Sequence, residues 1–216
     1  GLARAEAPEP RWSRLEFSAS KFLMTARFSV EVRQRPAADI GHSLLGVPRG
    51  LPVAPGDAVL ELAYRMSGFG QQSTATLWAD PASGASLQQT EVDSGRRQRV
   101  RDYRFTDLGA WHFSRWPASR SEESLPPAQW TRLGEGLRAY PATIGDRPVA
   151  SAITLLWLAA SGHYVRPGER SEVLVFSRGQ VSRVGIEFRG QRSIQVDYRE
   201  QDASGTRRRR GKVDAL

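Results

Sequence analysis

The chain has 216 residues and a mass of 23.9 kDa, enough for one sizeable domain with a real core. With 39% hydrophobic and 25% charged residues, wholesale disorder is excluded, and the absence of cysteine excludes disulfides, thiolate metal sites and a cysteine nucleophile. Of the 31 cationic side chains that set the net charge of +8, 29 are arginine, a bias produced by GC-rich coding and also by selection for a polyanion partner.

Residues 1–11 read as the flexible N-terminus of a mature exported chain, because Ala3-Arg4-Ala5 has the small-x-small form of a signal-peptidase site. A periplasmic location is the expectation. The longest apolar run, Ala152 to Ala160, is about half of the roughly 20 residues a membrane span needs.

Residues 12–200 read as a single β-rich domain. Phe22, Met24, Ala26, Phe28, Val30 and Val32 alternate with more polar neighbours and predict a strand with one greasy face. Residues 34–56 hold four prolines and four glycines and predict a loop. Alternation resumes at Ala58, Leu60, Leu62 and Tyr64, and strands follow near 73–79, 85–92, 98–106 and 110–116. The turn residues between them, such as Asp93-Ser94-Gly95 and Asp107-Leu108-Gly109, make residues 57–116 an antiparallel meander.

Residues 117–147 are predicted to be mostly loop, with a short helical turn near Trp130. A helix is expected over 148–160, with Asp146 as its cap, Pro148 in its first turn and Gly162 at its end. It is apolar nearly all round, which predicts burial on all faces. Strands are predicted over 170–177, 183–189 and 194–199. Residues 201–216, with Arg207 to Arg210, predict a solvated basic tail able to touch an anionic membrane. The expected fold is therefore mainly β: a strongly curved antiparallel sheet, a half-barrel or open barrel of about eight or nine strands, with one buried apolar helix in its concavity.

Catalytic motifs are weak. Ser18-Ala19-Ser20-Lys21 matches S-x-x-K, but it leads into a strand, where the first and fourth positions face opposite sides. Gly41 to Gly46 has the wrong spacing for a nucleophile elbow, and Gly134 to Ala139 lacks the strand that a dinucleotide loop follows. His42, His112 and His163 are too far apart in sequence to suggest a metal site. No catalytic, cofactor or metal residue is assigned.

Two surfaces are candidates. Phe28, Tyr64, Val184 and Trp157 are expected to line an apolar concave groove for a lipid or lipidated protein. Arg97, Arg99, Arg101, Arg104 and Arg115, interleaved with Tyr103, Phe105, Trp111, Phe113 and Trp116, offer a polyanion surface, with nucleic acid the less favoured partner. A third reading is a hydrolase assembled from distant residues, such as His163 with an Asp and a Ser.

The order of a long first strand, the basic strand Arg96 to Phe105, Ala150 to Leu158, His163-Tyr164-Val165-Arg166-Pro167-Gly168 and Val173 to Phe176 resembles a family of exported proteobacterial domains of unknown function. The resemblance spans most of residues 15–200. It implies a curved sheet around a helix, similar in shape to the lipoprotein-carrier half-barrels of the periplasm, and a periplasmic setting. It implies no activity and no catalytic residues. The leading expectation is a non-enzymatic binding or scaffold module.

Overall fold

The computed structural model describes residues 13–21, 24–68, 70–95, 98–160, 168–187, 189, 192–202 and 205–215. Short turn-bearing connections bring successive strands side by side. β1 (Arg14–Lys21), β2 (Met24–Pro36), β3 (Ala58–Gly68), β4 (Gln71–Ala79), β5 (Ser86–Gly95), β6 (Arg99–Phe105), β7 (Gly109–Trp116) and β8 (Arg132–Ala139) form one antiparallel sheet whose strand order is its chain order. At the tight turn into β7, Gly109 has φ +154°, and a Cβ there would come within 2.4 Å of the Arg138 carbonyl oxygen, so only glycine fits.

The period-two pattern becomes two faces through the register. Val32 lies opposite Leu62, Leu62 opposite Leu77, Leu77 opposite Gln89, and Gln89 opposite Tyr103. This inner face is covered by a second layer, β9 (Val149–Ser151), α1 (Thr154–Ala160), β10 (Arg170–Ser177) and β11 (Gln180–Glu187), in which the sheet order is β11-β10-β9. Val30, Val32, Leu60, Leu62, Leu77 and Ala79 pack against Trp157 and Leu158 of α1. Beside them Tyr103, Phe105 and Ala110 pack against Val149, Leu174 and Phe176. The outer face carries a smaller core, in which Val59 and Leu87 meet Ile40 from the connection between β2 and β3.

That connection is strapped down rather than free. Gln88 accepts a hydrogen bond from the Leu45 amide (2.7 Å) and donates to the Ser43 carbonyl (3.2 Å). The Trp111 indole donates to the Arg49 carbonyl at 2.6 Å, and Asp107 accepts from the Leu51 amide at 2.7 Å.

The mainly β architecture holds, but several expectations are corrected. The sheet is not strongly curled, because a second layer covers its inner face and no wrapping around a helix is needed. Among the described residues the helix is Thr154–Ala160, and Val149–Ser151, expected as its first turn, is a strand. That strand pairs in parallel with Leu174–Phe176, and the Ser151 amide donates to Ser86 Oγ at 2.7 Å, so its backbone groups are drawn into sheet contacts. The layer is thus a β-α-β unit ending in a hairpin, not a continuation of the meander. β1 and β8 were not anticipated. The basic stretch read as a solvated tail is strand β13 (Gly205–Ala215), paired antiparallel with β12 (Arg192–Asp202) in a separate two-stranded sheet. Its register sets Arg207 opposite Glu200 and Arg210 opposite Asp197, so opposite charges share cross-strand positions. Among the described residues no helix is long and apolar enough to cross a membrane.

Candidate functional site

On the outer face, where β6, β7 and β8 meet the segment 117–131, lies an open-mouthed cavity of about 710 Å³. Its size falls within the roughly 300–1,000 Å³ range of ligand pockets. Strand alternation supplies the floor: Val100 and Asp102 from β6, Phe113 and Arg115 from β7, Leu133 and Glu135 from β8. Pro127 and Ala128 form the wall.

The wall is held by its own hydrogen bonds. Glu122 accepts from the Ala118 amide (2.9 Å), the Thr131 amide (3.0 Å) and Thr131 Oγ1 (2.7 Å), and these bonds hold its carboxyl below the ordinary range. The buried Trp130 donates its indole N–H to the carbonyls of Glu122 (2.9 Å) and Leu125 (3.1 Å). Arg115 Nη1 then fastens the wall to the sheet through the Ala128 carbonyl at 3.2 Å. The wall is therefore tied both to itself and to the sheet.

Its polar lining is Asp102, Ser114, Arg115 and Glu135. Asp102 accepts one hydrogen bond, from Thr90 Oγ1 at 2.5 Å. Burial pushes the Asp102 carboxyl up, against that hydrogen bond and the charge of Arg115, which both pull it down. The folded state thus holds the Asp102 proton more tightly than the unfolded chain does. Ionised Asp102 weighs against the fold above the ordinary carboxylate range, and its effect vanishes in stronger acid, where both states are protonated. Asp102→Asn removes the charge while its amide oxygen can still accept from Thr90. The variant is expected to melt above the wild type near neutral pH, and the difference to close in acid. Thermal melts at the two pH values check this. A variant that melts lower near neutral pH would show that attraction to Arg115 outweighs burial.

The apolar groove expected from the sequence lies elsewhere, and of the expected arginine surface only Arg115 lines this cavity. Phe28, Tyr64 and Trp157 sit on the inner side of the large sheet, where Phe28 and Tyr64 stack edge to face with centroids 4.8 Å apart. Ile153, Leu155, Val173 and Ile186 pack into the same cluster, so side chains of the second layer occupy this space. Val184 is half-buried on β11, opposite Val173.

The arginines divide between faces. Arg99 and Arg101 share the inner face of β6; Arg104 and Arg115 lie on the outer side. Arg101 bridges Glu91 (2.7 Å) and Asp93 (2.8 Å). Arg104 is buried and donates to the carbonyls of Leu87 (2.6 Å) and Val53 (3.0 Å). Arg97 and His163 lie outside the described residues.

A second polar assembly crosses the inner face. Ser151 Oγ donates to Gln89, Gln89 donates to Glu91, Arg101 joins Glu91 to Asp93, and Ser73 donates to Asp93. Burial raises the Glu91 carboxyl, while Arg101 and Gln89 pull it down. Arg99 also reaches Asp93, at 3.9 Å, so two guanidiniums balance two carboxylates, which suits joining the two layers better than receiving a charged ligand. His112 contacts the Gly136 carbonyl through Nδ1 at 3.1 Å, and Ser114 donates to the Gly134 carbonyl at 3.1 Å. Among the described residues no group of three or more His, Asp or Glu side chains could hold a metal.

No family model, curated protein or solved structure matches the chain. The cavity's chemistry must therefore be read from its own side chains. Of its lining, Phe113 and Arg115 were named as candidate residues; Val100, Asp102 and Ser114 stood unnamed in the same 96–116 stretch, Glu135 stood within the dismissed Gly134 to Ala139 match, and Pro127, Ala128 and Leu133 fell in a region read mostly as loop. The available signal was in β7, whose outer face carries Trp111 and Phe113 where a solvated strand would carry polar residues.

Proposed function

We propose that the chain is a non-enzymatic binding module that takes a small lipid-like molecule, or the lipid moiety of a partner, in the cavity between β6, β7, β8 and the 117–131 wall. The observation that carries this reading is the open cavity itself. It has an apolar bed of Val100, Phe113, Pro127, Ala128 and Leu133, with Asp102, Ser114, Arg115 and Glu135 beside it. An apolar body gains by leaving water there, at about 25 cal/mol per Å² of buried apolar surface. Leu133 is 65% exposed at the rim, so a large apolar side chain faces solvent where a ligand would cover it. A polyanion-binding surface finds less support, because Arg101, Arg104 and Arg115 are already held by carboxylates or carbonyls. Residence in the periplasm belongs to the same proposal, and fractionation of cells expressing the natural gene checks it.

N-phenyl-1-naphthylamine, a neutral apolar dye that brightens out of water, tests the cavity. Leu133→Glu places a carboxylate at the apolar rim without disturbing the buried core. Dye affinity is expected to fall about tenfold or more, the equivalent of roughly 1.4 kcal/mol. Equal dye binding by wild type and variant would sink the assignment.

A further inference from the structure

The cavity floor has a charge order set by strand register. Thr90 lies opposite Asp102, Asp102 opposite Phe113, and Phe113 opposite Glu135. Directly opposed side chains in an antiparallel sheet have Cβ atoms about 4.5–5.5 Å apart. The Phe113 side chain is therefore flanked in its row by two carboxylates, one on each neighbouring strand. Among the described residues neither carboxylate forms an ion pair. The one cation among the lining residues, Arg115, sits in the adjacent row opposite Val100 and Leu133, and its Nη1 is engaged by the wall carbonyls. Two carboxylates against one guanidinium leave the cavity net negative, in a chain whose net charge is +8. The local sign is opposite to that of the whole molecule.

We propose that the cavity selects an amphiphile with a single ammonium head, whose hydrocarbon body lies on Val100, Pro127 and Leu133 and whose head sits at Phe113 between Asp102 and Glu135. This rests on the cavity being a ligand site. A flat aromatic ring offers a cation its negative face, and flanking carboxylates add attraction that a neutral or anionic head does not receive. A weakly hydrated ammonium suits such a place because little solvation is lost on entry. The same head occurs on long-chain amines and on choline or ethanolamine lipids.

The test compares dodecyltrimethylammonium, dodecylphosphocholine and dodecanoate, each below its micellar concentration, by titration calorimetry. Salt is added to screen the long-range field of the chain, which would otherwise favour the anion. Dodecyltrimethylammonium should bind roughly tenfold more tightly than dodecanoate, in line with a partly desolvated cation–π contact. Glu135→Gln and Phe113→Leu should each lower its affinity severalfold, and by more than they lower that of dodecanoate. Comparable binding of dodecylphosphocholine would identify a phospholipid-type head, and much weaker binding a plain amine. Equal affinity for cation and anion, or a Glu135→Gln variant that binds the cation unchanged, would overturn the head-group assignment alone. Failure of the wild type to bind either the dye or any of the amphiphiles would overturn the cavity reading beneath it.

Discussion

Replacement of Trp157 by alanine is expected to cost about 3–5 kcal/mol of folding stability, the usual price of a large aromatic cavity. Trp157 is 2% exposed and packs in one cluster with Val30, Val32, Leu60, Leu62 and Leu77. It is the main side chain through which the short helix α1 holds the large sheet, so neighbouring groups have little freedom to collapse into the space. Its indole N–H has no hydrogen-bond partner among the described residues, and an unpaired buried donor costs about 1–3 kcal/mol. Trp157→Phe removes that donor and keeps most of the apolar volume, so it should lose far less than the alanine variant. Urea unfolding of both variants checks the pair. A loss below about 1 kcal/mol for Trp157→Ala would mean that the second layer is not anchored at this point.

Arg104→Ala is expected to destabilise by about 2–4 kcal/mol, because two carbonyls are left without their donor at roughly 1–3 kcal/mol each. The cause is a β-bulge. Trp78 pairs with Gln88 and Ala79 with Ser86, so Leu87 has no partner in the register. Arg104 Nη1 supplies the missing donor to the Leu87 carbonyl at 2.6 Å and also reaches the Val53 carbonyl, so one guanidinium stitches the bulge to the strap between β2 and β3. Burial holds its pKa below the ordinary arginine value, and the charge is tolerated because two carbonyl oxygens accept from it, although its buried Nε has no partner among the described residues. Without it, two carbonyls lose their donor and the strap loses an anchor. Thermal unfolding measures the loss, and limited proteolysis should cut earlier within residues 44–53. If the variant instead kept its melting temperature and lost salt-sensitive binding to nucleic acid, Arg104 would be a recognition residue.

The central meander was legible because burial on one side writes period two into β2 to β7 as far as their ends. β8 escaped because its inward positions include Gly134 and Gly136, which give no side chain to alternate, while Leu133 and Leu137 point the other way. The helix was drawn too long for a different reason. Val149 to Leu158 is apolar except for Ser151 and Thr154, and a buried strand and a buried helix look alike over such a stretch. Only the pairing of Val149 with Leu174 separates them. The arginines illustrate a further limit. Spacing places Arg101 and Arg104 on opposite faces, but whether each meets a carboxylate, a carbonyl or water depends on strands far away in sequence. The cavity depends on register across β6, β7 and β8 and on a wall of irregular chain, neither of which leaves a periodic mark.

The identity of strand order and chain order in the large sheet bears on how the molecule comes together. Each new strand docks on the one made just before it, so most pairings close short loops and cost little chain entropy. The expensive closures are few: the strap before β3, the wall before β8, and above all the return of β9, α1 and β10 across strands laid down much earlier, as far back as Val30, 127 residues before Trp157. Growth of the sheet can therefore run hairpin by hairpin, with one apolar face still wet. The layer carrying Trp157 arrives afterwards and seals it. Until then the partly built protein exposes Val30, Leu62 and Leu77, and it is in that interval, before the last third of the chain has docked, that it is most open to association with other copies of itself.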